Sequence, residues 1–155
     1  MQILAELGDK NGMGLVMVLQ KHFRPDKECI TTVIVLAFAS ACNTLDKMFW
    51  RDPRPYFLTK MSPLNCKDVE YGNPSGHAMV TTAIYLTVFY LLKRKGLMYL
   101  FLQAVFYCCV FVISINRFKM GVHSLDQLLN GCVLGAIICF VFTGERFQNY
   151  LEGRL

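Results

Sequence analysis

Residues 69–92 read VEYGNPSGHAMVTTAIYLTVFYLL. The stretch places Pro-Ser-Gly-His at the head of a long apolar run, in a chain with only three histidines. The ordinary reading is a helix start, with Asn73 as N-cap, Pro74 at the first helical position and Ser75 beside it. That reading accounts for the proline and the glycine. It leaves His77 unexplained, because a titratable ring at the edge of an apolar segment needs a partner or a purpose. The rest of the chain has to decide between a plain helix start and a site.

The chain has 155 residues, 54% of them hydrophobic and 13% aromatic, with a net charge of +5. Soluble chains have about 45–50% apolar residues, and this length suits one domain. Four runs contain no Lys, Arg, Asp or Glu: 29–45, 77–92, 97–115 and 128–142. Each is about 15–19 residues, at or just under the roughly 17–25 that cross a bilayer. A helix apolar all round sits in lipid or deep in a large core, and a chain this short cannot bury four of them. The fold class predicted is therefore all-α, an integral-membrane helical bundle. It has four transmembrane helices and a short N-terminal interfacial helix over 13–23, with Lys21, His22 and Arg24 at its polar end. Those basic residues follow the apolar stretch, unlike the order in a cleavable signal. The chain divides into an N-terminal interfacial segment (1–28), a transmembrane core (29–142) and a C-terminal tail (143–155). Of the seven cysteines, all but Cys66 lie in or at the edge of apolar runs, where free cysteine behaves as a small hydrophobe. Their odd number and the absence of any CxxC point to neither a zinc site nor a disulfide framework.

Threading these runs through a bilayer brings three junctions to one side. The end of the first span holds DKMFWRDPRPYF, with Lys47 and, after six residues, Arg54-Pro55. The start of the second holds Ser75, Gly76 and His77. The junction of the third and fourth holds NRFKMGVHSLDQLLNG, with Arg117 and, after five residues, His123. Each piece has a plain alternative. Lys47 and Arg54 suit interfacial anchors, Arg117 could snorkel, and His123 could be a satisfied interfacial histidine. Together they would make a phosphate site. Arginine forks bind two phosphate oxygens at once and lysine adds a point charge. A helix opening with Ser75-Gly76 offers backbone N–H groups, a positive dipole end and close approach. One histidine attacks phosphorus and the other protonates the leaving oxygen, both titrating near neutrality. Three cations stand where a metal would otherwise be needed, so no metal and no cofactor is expected.

In this order and spacing, Lys47-x6-Arg54-Pro55, Pro74-Ser75-Gly76-His77 and Arg117-x5-His123 resemble the three signature motifs of the type-2 phosphatidic acid phosphatase/vanadium haloperoxidase superfamily. The resemblance covers roughly residues 29–142. It implies that Lys47, Arg54, Ser75, Gly76 and Arg117 hold the phosphate. It makes His77 the general acid, and His123 the nucleophile that forms a phosphohistidine. There are departures. The serine usual before the third-motif arginine is Asn116, and the aspartate four residues after the nucleophile is Gln127, with Asp126 one place earlier. Six spans are common in the superfamily, against four here. If a helix begins near His123, positions three and four residues on share its face, so Asp126 and Gln127 could each approach the ring. Gln127 is expected to take the orienting position, and the alternative for Asp126 is that it caps the last helix.

The function implied is an integral-membrane, metal-independent phosphatase. It would act on a phosphomonoester, either a lipid phosphate or a small phosphorylated metabolite. The texture of EYGNPSGHAM with Gln127 is similar to the glucose-6-phosphatase-like branch. The alternative is a structural subunit that keeps this fold within a larger membrane complex. Expected partners are membrane lipids, the phosphorylated substrate and possible partner subunits, with no nucleic acid. Lys93, Arg94 and Lys95, together with the basic residues of 21–27, fall on the side opposite the motifs. The positive-inside rule then places the active face on the lumenal or extracellular side of an endomembrane, plasma or organelle membrane.

Overall fold

The computed structural model describes residues 26–59, 70–92 and 97–154. The interfacial segment over 13–23, the basic turn 93–96 and Cys66 lie outside the described residues. Six helices follow in order: α1 (Asp26–Trp50), α2 (Pro55–Thr59), α3 (Gly76–Leu92), α4 (Leu97–Lys119), α5 (Leu125–Thr143) and α6 (Glu145–Glu152). Each apolar run of the sequence falls within one of the four long helices, and all four helices extend beyond their runs. Two helical stretches, Glu28–Leu58 (which holds most of α1) and Leu125–Thr143, are long and apolar enough to cross a membrane, and Gly76–Leu91 is a shorter apolar helix.

The second apolar run turns out to be the axis of the bundle. Along α3, Ala78, Met79, Val80, Ala83, Ile84, Tyr85 and Val88 are buried. They pack with Val35 and Ala39 of α1 and with Ile138 and Phe142 of α5. A helix with no polar face is satisfied here by protein on every side. The outer helices are also apolar all round, but for a different reason. On α5, Gln127, Leu128, Gly131, Gly135, Ile138 and Phe142 face inward. Leu125, Leu129, Val133, Ile137 and Phe140 form the opposite stripe and are more than half exposed. Within each face the residues recur about once per helical turn, and an exposed apolar stripe of that length fits contact with lipid.

Two glycines set how closely α5 lies on α3. A Cβ on Gly131 would stand 2.7 Å from the Ser75 carbonyl oxygen, and one on Gly135 would strike the Met79 carbonyl oxygen. Gly131 and Gly135 are four residues apart, the small-xxx-small spacing that lets membrane helices touch backbone to backbone. The contact places the first turn of α5 beside the first turn of α3. Residues 145–152, in the segment read from the sequence as a tail, form the amphipathic helix α6. Leu151 is buried, the Phe147 ring meets Phe142 with centroids 4.8 Å apart, and Gln148 Nε2 donates to the Phe142 carbonyl at 2.7 Å.

Candidate active site

The first motif begins on the last turns of α1. Lys47 and Asn43 sit four residues apart and so share a face. The helix stops at Arg51, which takes a left-handed φ of 49°, and Pro53 keeps it from continuing until α2 starts at Pro55. The turn points Arg54 inward, only 4% exposed, with its Nε donating to the Glu70 carbonyl at 2.9 Å. Lys47 Nζ donates to Glu70 Oε2 at 2.6 Å. The hydrogen bond and charge of Lys47 hold the Glu70 carboxyl below its usual range. The pair is mostly in solvent on the glutamate side, 69% exposed. An exposed pair of this kind is worth under about 1 kcal/mol, so a stronger anion displaces it readily.

The second motif departs in detail from a simple capped start. Helix α3 begins at Gly76, two residues beyond Pro74, after a cis Asn73–Pro74 peptide. Asn73 is therefore not the cap, and its Oδ1 accepts from Asn130 Nδ2 of α5 at 2.8 Å. The Ser75 N–H is also taken, donating to the Gln127 carbonyl at 3.0 Å. The backbone donors left for an anion are those of the first turn, from Gly76 onward. The Ser75 hydroxyl is fully buried and has no hydrogen-bond partner among the described residues. Asn43 supports this turn from α1, its Nδ2 donating to the Pro74 carbonyl at 3.2 Å. A Cβ on Gly76 would lie 2.9 Å from the Asn43 amide oxygen.

The five-residue spacing of the third motif has a local cause. Helix α4 ends in a Schellman turn. The Val122 N–H reaches back to the Arg117 carbonyl at 3.3 Å and the Gly121 N–H to that of Phe118 at 2.9 Å. Gly121 takes the left-handed φ of 66° that this motif requires, and Val122, 1% exposed, anchors the turn in the interior. His123 follows at once, and Ser124 starts α5 as its N-cap. Arg117 is thus held at the end of one helix and His123 at the start of the next. Arg117 Nη2 donates to His77 Nε2 at 2.5 Å.

His123 is 4% exposed, and its tautomer follows from its neighbours. Gln127 Nε2 faces two acceptors, Asp52 Oδ2 at 3.0 Å and the Pro53 carbonyl at 3.1 Å. The amide must therefore turn Oε1 toward the Ser124 N–H and toward His123 Nδ1, each at 3.3 Å. Nδ1 also meets the Gly72 carbonyl at 2.9 Å. A ring nitrogen between two carbonyl oxygens carries the hydrogen, which leaves the lone pair on Nε2. Burial, reinforced by the positive charge of Arg54, lowers the His123 pKa to about 4, and Lys47 adds to the effect. The hydrogen bonds to Gln127 and Gly72 pull the other way without overcoming it. The imidazole is neutral at neutral pH.

The structure thus brings together His123 with Gln127, His77 with Arg117, and Lys47 and Arg54 with the loop that carries Glu70. Asp126 is exposed in the first turn of α5, where its charge suits the helix dipole. Sequence reasoning passed over Asn43, Asp52, Gly72 and Asn130. For Gly72 the reason for glycine is steric, since a Cβ would stand 2.6 Å from the Gln127 amide oxygen. One available signal was Ser124-x-x-Gln127, the spacing of a capping box.

Comparison with known proteins bears on this arrangement. The sequence model of the PAP2 superfamily matches residues 29–150. No curated protein sequence is significantly similar to the chain. Among solved structures, the fold matches a crystal structure described as the first transmembrane PAP2 type phosphatidylglycerolphosphate phosphatase from Bacillus subtilis. The TM-score is 0.78 at 22% identity, over 92% of this chain and 73% of that one. An all-helical bundle with apolar helices of membrane length, matched by this family over most of its residues, leads to one assignment: the chain belongs to the PAP2 superfamily.

Proposed function

We propose that the protein is an integral-membrane phosphatase that hydrolyses a phosphomonoester through a phosphohistidine on His123. The observation that carries this reading is the state of His123: neutral, buried, hydrogen on Nδ1, lone pair on Nε2, in the field of Arg54 and Lys47. A nucleophile needs a free lone pair at working pH, and the surrounding cations favour an incoming phosphate. Lys47, Arg54 and Arg117 hold its oxygens, with the Ser75 hydroxyl and the first N–H groups of α3. The substrate displaces Glu70 from Lys47.

Arg117 has a second task. A guanidinium has no acceptor, so while it donates to His77 Nε2 that nitrogen carries no proton. Phosphate oxygens draw Arg117 away, and Nε2 is then free to be protonated and to act as the acid. His123 Nε2 attacks phosphorus, the N–P bond forms as the P–O bond to the alcohol breaks, and the leaving oxygen takes a proton from His77. Water then attacks phosphorus and gives its proton to His77; the new O–P bond forms as the N–P bond breaks, releasing phosphate and leaving His123 neutral again. No step calls on a metal.

The substrate is a lipid phosphate or a small phosphorylated metabolite. A lipid is favoured by Met48, Phe49 and Trp50, all more than half exposed immediately after Lys47, and the PAP2 neighbour is itself described as acting on phosphatidylglycerolphosphate. The active face is lumenal or extracellular. The test is turnover of the purified chain on a panel of phosphomonoesters, with and without chelator. Activity that survives chelation, is inhibited by orthovanadate and vanishes in His123→Ala is the expected result. Chelator-sensitive turnover, or an active His123→Ala, overturns the mechanism.

A further inference from the structure

The aspartate that the superfamily places four residues after the nucleophile is absent, yet a carboxylate still reaches the ring's partner from elsewhere. Gln127 Nε2 donates to Asp52 Oδ2 at 3.0 Å, while Gln127 Oε1 lies 3.3 Å from His123 Nδ1. The second acceptor on Nδ1 leads to the same residue. The Gly72 carbonyl takes the Nδ1 hydrogen at 2.9 Å, and the Gly72 N–H donates to the Asp52 carbonyl at 2.8 Å. Asp52, Gly72, His123 and Gln127 therefore close a ring of four hydrogen bonds. Gln127 is 2% exposed and pinned at both ends of its amide. Asp52 lies in the turn where α1 stops, between the left-handed Arg51 and the first motif's Arg54.

We propose that Asp52 is a positioning residue for His123, supplying through the Gln127 amide the negative charge that the replaced aspartate would supply directly. The proposal rests on the phosphohistidine reading above. When Nε2 bonds to phosphorus, the ring gains positive charge and its Nδ1–H becomes a stronger donor. Gln127 Oε1 and the Gly72 carbonyl receive that hydrogen bond. The amide answers by polarising its own N–H toward the Asp52 carboxylate, as hydrogen bonds in a chain strengthen one another. A neutral amide alone fixes the ring's direction and tautomer. An amide backed by a carboxylate also stabilises the charge that forms on it. In this arrangement the first motif's turn does two things at once: Arg54 faces the phosphate and Asp52 steadies the nucleophile.

The test is a pair of near-isosteric substitutions and their combination, in the full-length protein in detergent or vesicles. Asp52→Asn keeps an acceptor for Gln127 Nε2 and removes only the charge, so kcat falls about tenfold or more while KM stays within about threefold of wild type. Gln127→Glu retains an acceptor for His123 and for the Ser124 N–H but sets two carboxylates against each other, and kcat falls at least as far. Combining Asp52→Asn with Gln127→Glu places one carboxylate directly on the ring, with an amide donor behind it. It recovers most of the lost kcat, to within about threefold of wild type. Burst-phase formation of phosphohistidine follows the same order. A purely structural Asp52 does not produce that recovery. The inference is overturned if Asp52→Asn turns over like wild type, or if the double variant is no better than Gln127→Glu alone. Those results leave the phosphatase reading standing. A wild type that shows neither turnover nor phosphohistidine overturns both.

Discussion

His123 links burial to pH in a way that stability measurements detect. In the unfolded chain its imidazole titrates near the usual value of about 6.5, whereas in the folded protein burial and Arg54 lower that to about 4. Between those values the unfolded state takes a proton that the folded state refuses. Stability is therefore whole above pH 6.5, falls as the pH drops, and has lost on the order of 3 kcal/mol from this group by pH 4. Denaturant unfolding in micelles at pH 7 and pH 4.5 measures the difference. His123→Asn, which has nothing to titrate at this position, should lose less stability between the two pH values than wild type does. An identical loss in both proteins shows that the imidazole is not held neutral. The roles of His77 and His123 as candidates were legible from the motifs. Gln127 was expected beside His123 from its spacing, but Gly72 on the ring and Asp52 behind Gln127 were not, because they lie 51 residues from His123 and 75 from Gln127 in sequence, and no local pattern announces such contacts.

Elements place these residues through two backbone devices. The Schellman turn closing α4 requires a left-handed residue, and Gly121 supplies it with open space around its missing Cβ. Gly121→Ala therefore meets no steric clash and pays only the conformational penalty, about 1 kcal/mol, read as a lowered midpoint in chemical denaturation. Activity should fall further than stability alone explains, because the turn fixes where Arg117 and His123 stand relative to each other. Gly121→Asn should fall between Ala and wild type, since asparagine tolerates this backbone region better. Should Ala and Asn both match wild type, the turn does not need its left-handed residue. The second device is the contact of α5 with α3. Gly135→Val forces a side chain into the Met79 carbonyl and its turn, and overpacking of this kind costs on the order of 2 kcal/mol. Since the same contact holds the Gln127 carbonyl on the Ser75 N–H, turnover should drop with it, whereas Val133→Ile on the exposed stripe should be silent. Equal effects at the two positions argue against the packing described. The helices themselves were readable from uninterrupted apolar runs. The glycine contact was not singled out, because small residues in an apolar run look like filler until the neighbouring backbone is known.

At the scale of the whole molecule, the bundle gathers the ends of α1, α4 and the starts of α3 and α5, and orientation in the membrane decides which compartment supplies the substrate. The proposed lumenal or extracellular face for these ends follows from the positive-inside reading of the basic segments in the sequence. In sequence, Cys66 falls between the first and second motifs, so its labelling tests which face they occupy. Labelling it with a membrane-impermeant thiol reagent in sealed, cytoplasm-side-out vesicles should fail until the vesicles are opened, with the other six cysteines replaced. Labelling of intact vesicles reverses the orientation.

The sequence by itself determined that the chain is an all-helical membrane protein of the PAP2 superfamily, where its long helices lie, and which cations and histidines are the candidates for a phosphate site. Charge-free runs and motif spacing are local properties, readable without neighbours. The tertiary structure alone decided that α3 is the buried axis, because a helix walled by protein and one facing lipid have the same apolar composition. It also decided which of two neighbouring side chains meets His123 and what stands behind it. Asp126 and Gln127 both lie within a turn of His123 in sequence, and only the packing of α5 against the end of α1 turns Gln127 inward to Asp52 and leaves Asp126 in solvent.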